Sequence, residues 1–299
     1  MGTPDFAVAS LEALVEAGQH VVAVITAPDK PQGRGQALKG SPVKECAVRH
    51  GIPVMQPSNL KSPAFLEELK SFQADVQVVV AFRMLPEAVF AMPRLGTFNL
   101  HASLLPQYRG AAPINWAIIH GEKETGVTTF FLRQEIDTGK IIFQDREPIF
   151  PDDDAGSLHD RLMRKGANLV VRTVKAIESG TITTTEQPAG TDRKVAPKIF
   201  KETCSINWHH GANAIRDFVR GLSPYPGAWT RIQDKVYKIY RVEIVAPGTG
   251  DRHHAWETDN KTYLHFRAAD GWVAITELQP EGRKRMTIQE FFRGNRLDK

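Results

Sequence analysis

The chain has 299 residues, enough for two domains, and its 41% hydrophobic and 24% charged residues match a globular protein. No stretch approaches the roughly 18 unbroken apolar residues of a membrane-crossing helix; Met1 to Phe6 lacks the pattern of a secretory leader, and Cys46 and Cys204 are too few for a disulfide framework or a Cys-x-x-Cys site, so a cytoplasmic protein is expected. The net charge of +4 lies wholly in the last third, because residues 1–200 carry 22 Lys+Arg and 22 Asp+Glu whereas residues 201–299 carry 16 and 12, an excess that permits a nucleic-acid partner and is equally ordinary surface variation.

From Phe6 to Pro148 helical stretches alternate with short apolar runs, which predicts an α/β fold with a doubly wound, mostly parallel sheet. Helices are expected over Ser10–Ala17, Pro42–His50, Ser62–Ser71 and Ile114–His120, and strands over Val21–Ile25, Ile52–Met55, Val76–Ala81 and Thr97–Ala102. Val127–Leu132 and Lys140–Asp145 read as an antiparallel pair, and Leu158–Ser179 as a long amphipathic helix stopped by Gly180. Residues 188–204 are rich in Pro, Gly and Lys and read as a linker, dividing the chain into domains at 1–187 and 205–299. After a helix near Gly211–Arg220, the runs Ala228–Ile232, Val236–Val245, Tyr263–Arg267 and Trp272–Leu278 predict a small β-barrel or sandwich.

Period-two alternation in Thr97–Ala102 puts Asn99 and His101 on one face of a strand, near the carboxyl end where ligands of parallel sheets bind. The same pair also reads as an edge Asn and a hydrogen-bonded core His. Asp137, in Glu135-Ile136-Asp137-Thr138-Gly139, is either a catalytic acid or a turn residue. Residues Lys30 to Lys39 are either a solvated loop or an arm for phosphates, and their Gly33-Arg34-Gly35 lacks the Gly-Lys-Ser ending of a nucleotide loop. His209-His210 and His253-His254 are adjacent in polar surroundings and predict solvated surface, with no metal site.

Taken together, Asn99 through Pro113 (NLHASLLPQYRGAAP) and Asp137-Thr138-Gly139 resemble the 10-formyltetrahydrofolate-dependent formyltransferases. Further support comes from Gly2-Thr3-Pro4-Asp5-Phe6-Ala7, Gly33-Arg34-Gly35, Arg220 through Trp229 and Leu278 through Met286. The last two resemble the family branch that acts on methionyl initiator tRNA and carries a second, OB-like barrel domain. The resemblance implies formyl transfer from 10-formyltetrahydrofolate to the α-amine of that tRNA for translation initiation, by a monomer using no metal. It implies Asn99, His101 and Asp137 at the transfer centre, Ser103, Leu104, Leu105 and Pro106 at the folate, and Lys30, Arg34 and Lys39 at the tRNA acceptor end. A nucleotide sugar or a purine precursor as acceptor, or an idle RNA-binding protein of the same fold, are the rival readings. The family pattern also places an apolar strand directly ahead of Met-Gly-Thr-Pro, so translation is expected to start about ten residues upstream of Met1.

Overall fold

The computed structural model describes residues 1–32, 37–188, 190, 193–245 and 255–297. Its elements run α1 (Asp5–Glu16), β1 (Val24–Ile25), β2 (Lys30–Gln32), β3 (Ala37–Lys39), α2 (Pro42–Arg49), β4 (Val54–Met55), α3 (Pro63–Ser71), β5 (Gln77–Val80), α4 (Glu87–Phe90) and β6 (Thr97–His101). There follow β7 (Arg109–Gly110), α5 (Pro113–Ile119), β8 (Glu124–Phe131), β9 (Ile141–Pro148), α6 (Ala155–Glu178) and β10 (Val195–Ala196). The last part holds α7 (Ala212–Leu222), β11 (Ala228–Ile232), β12 (Lys235–Val245), β13 (Trp256–Thr258), β14 (Leu264–Arg267), β15 (Trp272–Pro280), β16 (Met286–Thr287) and α8 (Ile288–Phe292).

By packing, one compact unit comprises Met1–Gly110, Glu124–Pro148 and His159–Val195. Its main sheet has the order β5-β6-β8-β9, with β5 and β6 parallel and the β8 and β9 pairings antiparallel. β1 and β4 form a second parallel pair. Phe98 and Phe130 are fully buried in the sheet, and α6 lies against it because Gly166 leaves room for Leu100: an added Cβ there would come within 2.7 Å of the Leu100 side chain. The expected elements are present with shifted ends. α1 begins at Asp5, whose charge suits a helix N-terminus, and the strand expected over Val21–Ile25 is paired only at Val24 and Ile25.

The reason lies beside β1. Met1 and Gly2 sit between β1 and β5: the Met1 amine donates to Val78 O at 2.6 Å, Val80 N–H to Met1 O at 2.9 Å, and Gly2 N–H to Ile25 O at 3.1 Å. Next to Met1, residues 18–25 and 72–78 border a cavity of about 740 Å³, lined also by Leu11, Leu14, Leu69, Val174 and Ile177. Val21, Val22 and Ala23 border this space instead of a neighbouring strand. The Ser10 hydroxyl, buried on the cavity wall, has no hydrogen-bond partner among the described residues.

The other unit comprises Ala111–Lys123, Ile149–Leu158 and the chain from Ala196 onward. Its antiparallel sheet runs β11-β12-β15-β14-β13, with β16 on β15. Register shifts on either side of Arg241 bend β12, so the sheet curls as half of a small barrel. α7 covers one side with Ile215, Val219 and Leu222, and α8 contributes Phe291, set edge-on to Tyr237 at 5.7 Å. The last break between the units, after Val195, lies within the expected linker 188–204, but the unit also draws in two earlier segments that a linear division leaves out. α5 packs on α7 at Gly221, where a Cβ would meet Ile119 at 2.6 Å, and Asn115 Nδ2 donates to Gly221 O at 2.8 Å. The buried Arg220 guanidinium bonds Asp217 Oδ1 (2.8 Å), Asp153 O (2.9 Å) and Phe150 O (3.2 Å), holding segment 149–158.

Candidate active site

β6 brings Asn99 and His101 to the same face, as the alternation requires. Phe98 and Leu100, pointing the other way, are buried and fix which face that is. His101 is buried and Asn99 partly open; the Asn99 amide makes no hydrogen bond among the described residues, leaving its donors free for a ligand oxygen. His101 Nε2 lies 2.8 Å from Tyr108 O. A carbonyl only accepts, so Nε2 carries the proton and the lone pair of the neutral ring sits on Nδ1.

Nδ1 faces Asp137 Oδ2 at 3.8 Å, a charge-pairing distance and longer than a hydrogen bond. Asp137 lies in the connection between β8 and β9, with φ of +53°, and both side chains of the pair are nearly buried. Its carboxylate accepts from Gly110 N–H at 2.9 Å. The connection is pinned at its far end by Gly139, where a Cβ would fall 1.6 Å from Phe131 O; only glycine fits. Asn99 and His101 thus share a face with Asp137 against His101, so an amide donor, a proton acceptor and a carboxylate come from one strand end and the connection beside it.

The stretch after β6 is built as a tight turn. Ser103 Oγ donates to Gln107 O (2.6 Å), while Thr128 Oγ1 donates to Ser103 O (2.6 Å) and accepts from Leu105 N–H (3.2 Å). Ser103 and Leu105 are buried and Leu104 and Pro106 half-buried, so any folate contact here runs through the latter two or through the backbone. Lys30 and Lys39 are exposed and stand directly opposite each other in the β2–β3 hairpin, a structure the polar composition of that segment did not announce. Arg34 and His253-His254 lie outside the described residues. Glu12, Cys46 and His50 bring metal-ligating atoms within 4.8 Å of one another. Arg49 already pairs with Glu12 at 3.2 Å, and burial, then the Glu12 charge, push the Cys46 thiol pKa up, so the trio is poorly suited to a cation. No described helix is long and apolar enough to cross a membrane.

Residues that the motifs did not single out surround Asp137. Arg109 donates through its guanidinium to Gln187 Oε1, and Gln187 Nε2 donates to Asp137 O and Gly139 O. Burial, then the Arg193 charge, lower the Arg109 pKa, against the pull of Asp137 and Glu135. Glu186 pairs with Arg133 (2.9 Å) and Lys140 (3.3 Å); the Arg133 hydrogen bond is the main cause of its lowered pKa. Gln187 immediately precedes the Pro-rich linker and carries no local signal; only its partners, 48 to 78 residues earlier, reveal it.

Comparison with known proteins gives a consistent result. The Formyl transferase family pattern matches residues 1–174 and the Formyl transferase, C-terminal domain pattern matches residues 198–296. The methionyl-tRNA formyltransferase of Azobacteroides pseudotrichonymphae is 52% identical over 306 residues, covering 99% of this chain and 94% of that protein. That of Phocaeicola vulgatus is 55% identical, covering 99% and 94%. Among solved structures, the N-formyltransferase of Helicobacter canadensis in complex with folinic acid and dTDP-3-aminofucose superposes with a TM-score of 0.69 at 22% identity, covering 95% of this chain and 97% of that one. HypX of Aquifex aeolicus, in complex with tetrahydrofolic acid, gives 0.60 at 19% identity over 84% of this chain and 45% of that one, a likeness of fold.

Proposed function

The chain belongs to the formyltransferase family in both of its domains, and from that premise we propose that it moves a formyl group from 10-formyltetrahydrofolate to the α-amine of methionyl initiator tRNA. The relatives that carry this activity align with it nearly end to end, which favours the tRNA acceptor over a sugar nucleotide. The single observation that carries the mechanism is the convergence of Asn99, His101 and Asp137.

The neutral amine attacks the formyl carbon, forming the new C–N bond and placing charge on the formyl oxygen. The free Asn99 amide donates to that oxygen. His101 accepts the amine proton at Nδ1, and the Asp137 carboxylate, 3.8 Å away, stabilises the imidazolium. As the bond to the folate nitrogen breaks, the proton passes to that nitrogen, and His101 returns neutral. Nε2, bound to Tyr108 O throughout, holds the ring in one orientation. No step requires a metal.

Leu104, Pro106 and the backbone of Ser103 and Leu105 shape the folate side, while Lys30, Arg34 and Lys39 meet the acceptor end of the tRNA. The enzyme works as a monomer in the cytoplasm, where charged initiator tRNA awaits formylation before translation starts. A single-turnover assay with labelled formyl donor and charged initiator tRNA tests the assignment: label on the methionine amine supports it, whereas label on a sugar nucleotide, or on nothing, sinks it.

A further inference from the structure

We propose that Gln187 is a positioning residue for the acid–base pair: it holds the main chain of residues 137–139 so that the Asp137 carboxylate stays at Nδ1 of His101. This rests on the catalytic reading of Asp137 given above. Every hydrogen-bonding group of the Gln187 amide is committed. Nε2 donates to Asp137 O at 2.8 Å and to Gly139 O at 2.9 Å, and Oε1 accepts from Arg109 Nε at 3.1 Å and from the Arg109 Nη2. Carbonyls only accept and a guanidinium only donates, so the partners leave no choice in the orientation of the amide.

The segment bearing Gln187 is itself anchored. Thr185 exchanges both backbone hydrogen bonds with Ile141, at 2.8 and 2.9 Å, and Glu186 pairs with Arg133 and Lys140 on either side of the connection. Gln187 therefore acts as a fixed strut against which residues 137–139 are pulled. Asp137 needs such a strut because it is a non-glycine residue at φ +53°, a backbone state that persists only when its surroundings hold it. Arg109 closes the arrangement: its side chain meets Gln187, and the next N–H along, that of Gly110, holds the carboxylate of Asp137. Main chain and side chain of Asp137 are thus gripped from two directions through one Arg109–Gln187 contact.

The test compares Gln187→Glu and Gln187→Ala, each alone and combined with Asp137→Asn. Gln187→Glu keeps the shape and the Arg109 partner but removes both N–H donors and sets an anion against two carbonyls. Both variants should lower kcat tenfold or more, as expected for a misplaced catalytic group, with KM for tRNA within about twofold. In the Asp137→Asn background either Gln187 change should cost almost nothing more, because the two act as a unit. Wild-type kcat in Gln187→Glu, with Asp137→Asn inactive, overturns the inference and leaves the catalytic reading standing; so does a lowered melting temperature with unchanged kcat. An active Asp137→Asn instead overturns the reading beneath it.

Discussion

The two ends of the parallel strands in the first compact unit are built in opposite ways. At the carboxyl end of β6 nearly every polar group has a partner: His101 on Tyr108, Asp137 on Gly110, Ser103 on Gln107, Gln187 on three residues. At the amino end of β1 and β5 lies a cavity of about 740 Å³, with the Met1 amine bound to the Val78 carbonyl and the Ser10 hydroxyl to nothing among the described residues. Hydrogen bonds cost little when both groups are already held by neighbours, and an unfilled apolar space forfeits contacts that nothing replaces. Polar pairing is concentrated beside Asn99, His101 and Asp137, whereas the opposite end holds an unfilled space.

That contrast predicts its largest effect at the cavity. Fusing a segment of five or six apolar β-formers ahead of Met1 should raise the melting temperature by about 10 °C or more, since each buried large aliphatic contributes roughly 2 kcal/mol before its ordering cost. A polar segment of equal length should give no rise. Thermal unfolding of the two fusions decides, and an equal rise for both sinks the idea that apolar filling is what this end lacks.

At the opposite end the expected effects are on rate. Asn99→Ala, His101→Ala and Asp137→Ala should each slow single turnover by about a hundredfold while leaving tRNA binding and melting temperature almost unchanged. Wild-type turnover in Asp137→Ala is the outcome that removes Asp137 from the centre.

What the sequence made legible follows the same division. Strict alternation exposed Asn99 and His101, because Phe98 and Leu100, which alternate with them, must be buried, and the 3.6-residue spacing from Leu158 to Ile177 exposed α6. The motif run around Arg109 and Asp137-Thr138-Gly139 carried the family resemblance. Gln187 was invisible because its meaning lies in two carbonyls and a guanidinium brought near by folding, and neither period nor motif records that. The β2–β3 hairpin was invisible for a different reason: Lys30-Pro31-Gln32 and Ala37-Leu38-Lys39, which pair residue for residue, have no apolar alternation. That Ile149–Leu158 belongs to the second unit was hidden because the buried Arg220 reaches back to carbonyls of Phe150 and Asp153, far off in sequence.

The smallest expected effect belongs to the hairpin. Lys30 and Lys39 are cross-strand partners, and like charges directly opposite each other disfavour the pairing by a few tenths of a kcal/mol or somewhat more. A phosphate seated between them would turn that repulsion into attraction, so the free hairpin is poised to gain from an anion. Lys30→Ala, Lys39→Ala and Arg34→Ala should each raise KM for tRNA severalfold and flatten the salt dependence of binding by about one unit of slope, without changing KM for the folate donor. Lys30→Ala and Lys39→Ala should also steady the free hairpin, since each removes one of two facing charges. Arg34 separates from the pair by specificity: if it reads the first base pair of the acceptor stem, Arg34→Ala should lose preference for initiator over elongator methionyl-tRNA, while the lysine variants weaken both alike. Catalytic efficiency on the two charged tRNAs measures this directly, and equal losses for all three variants would leave Arg34 as one more phosphate contact beside the two lysines.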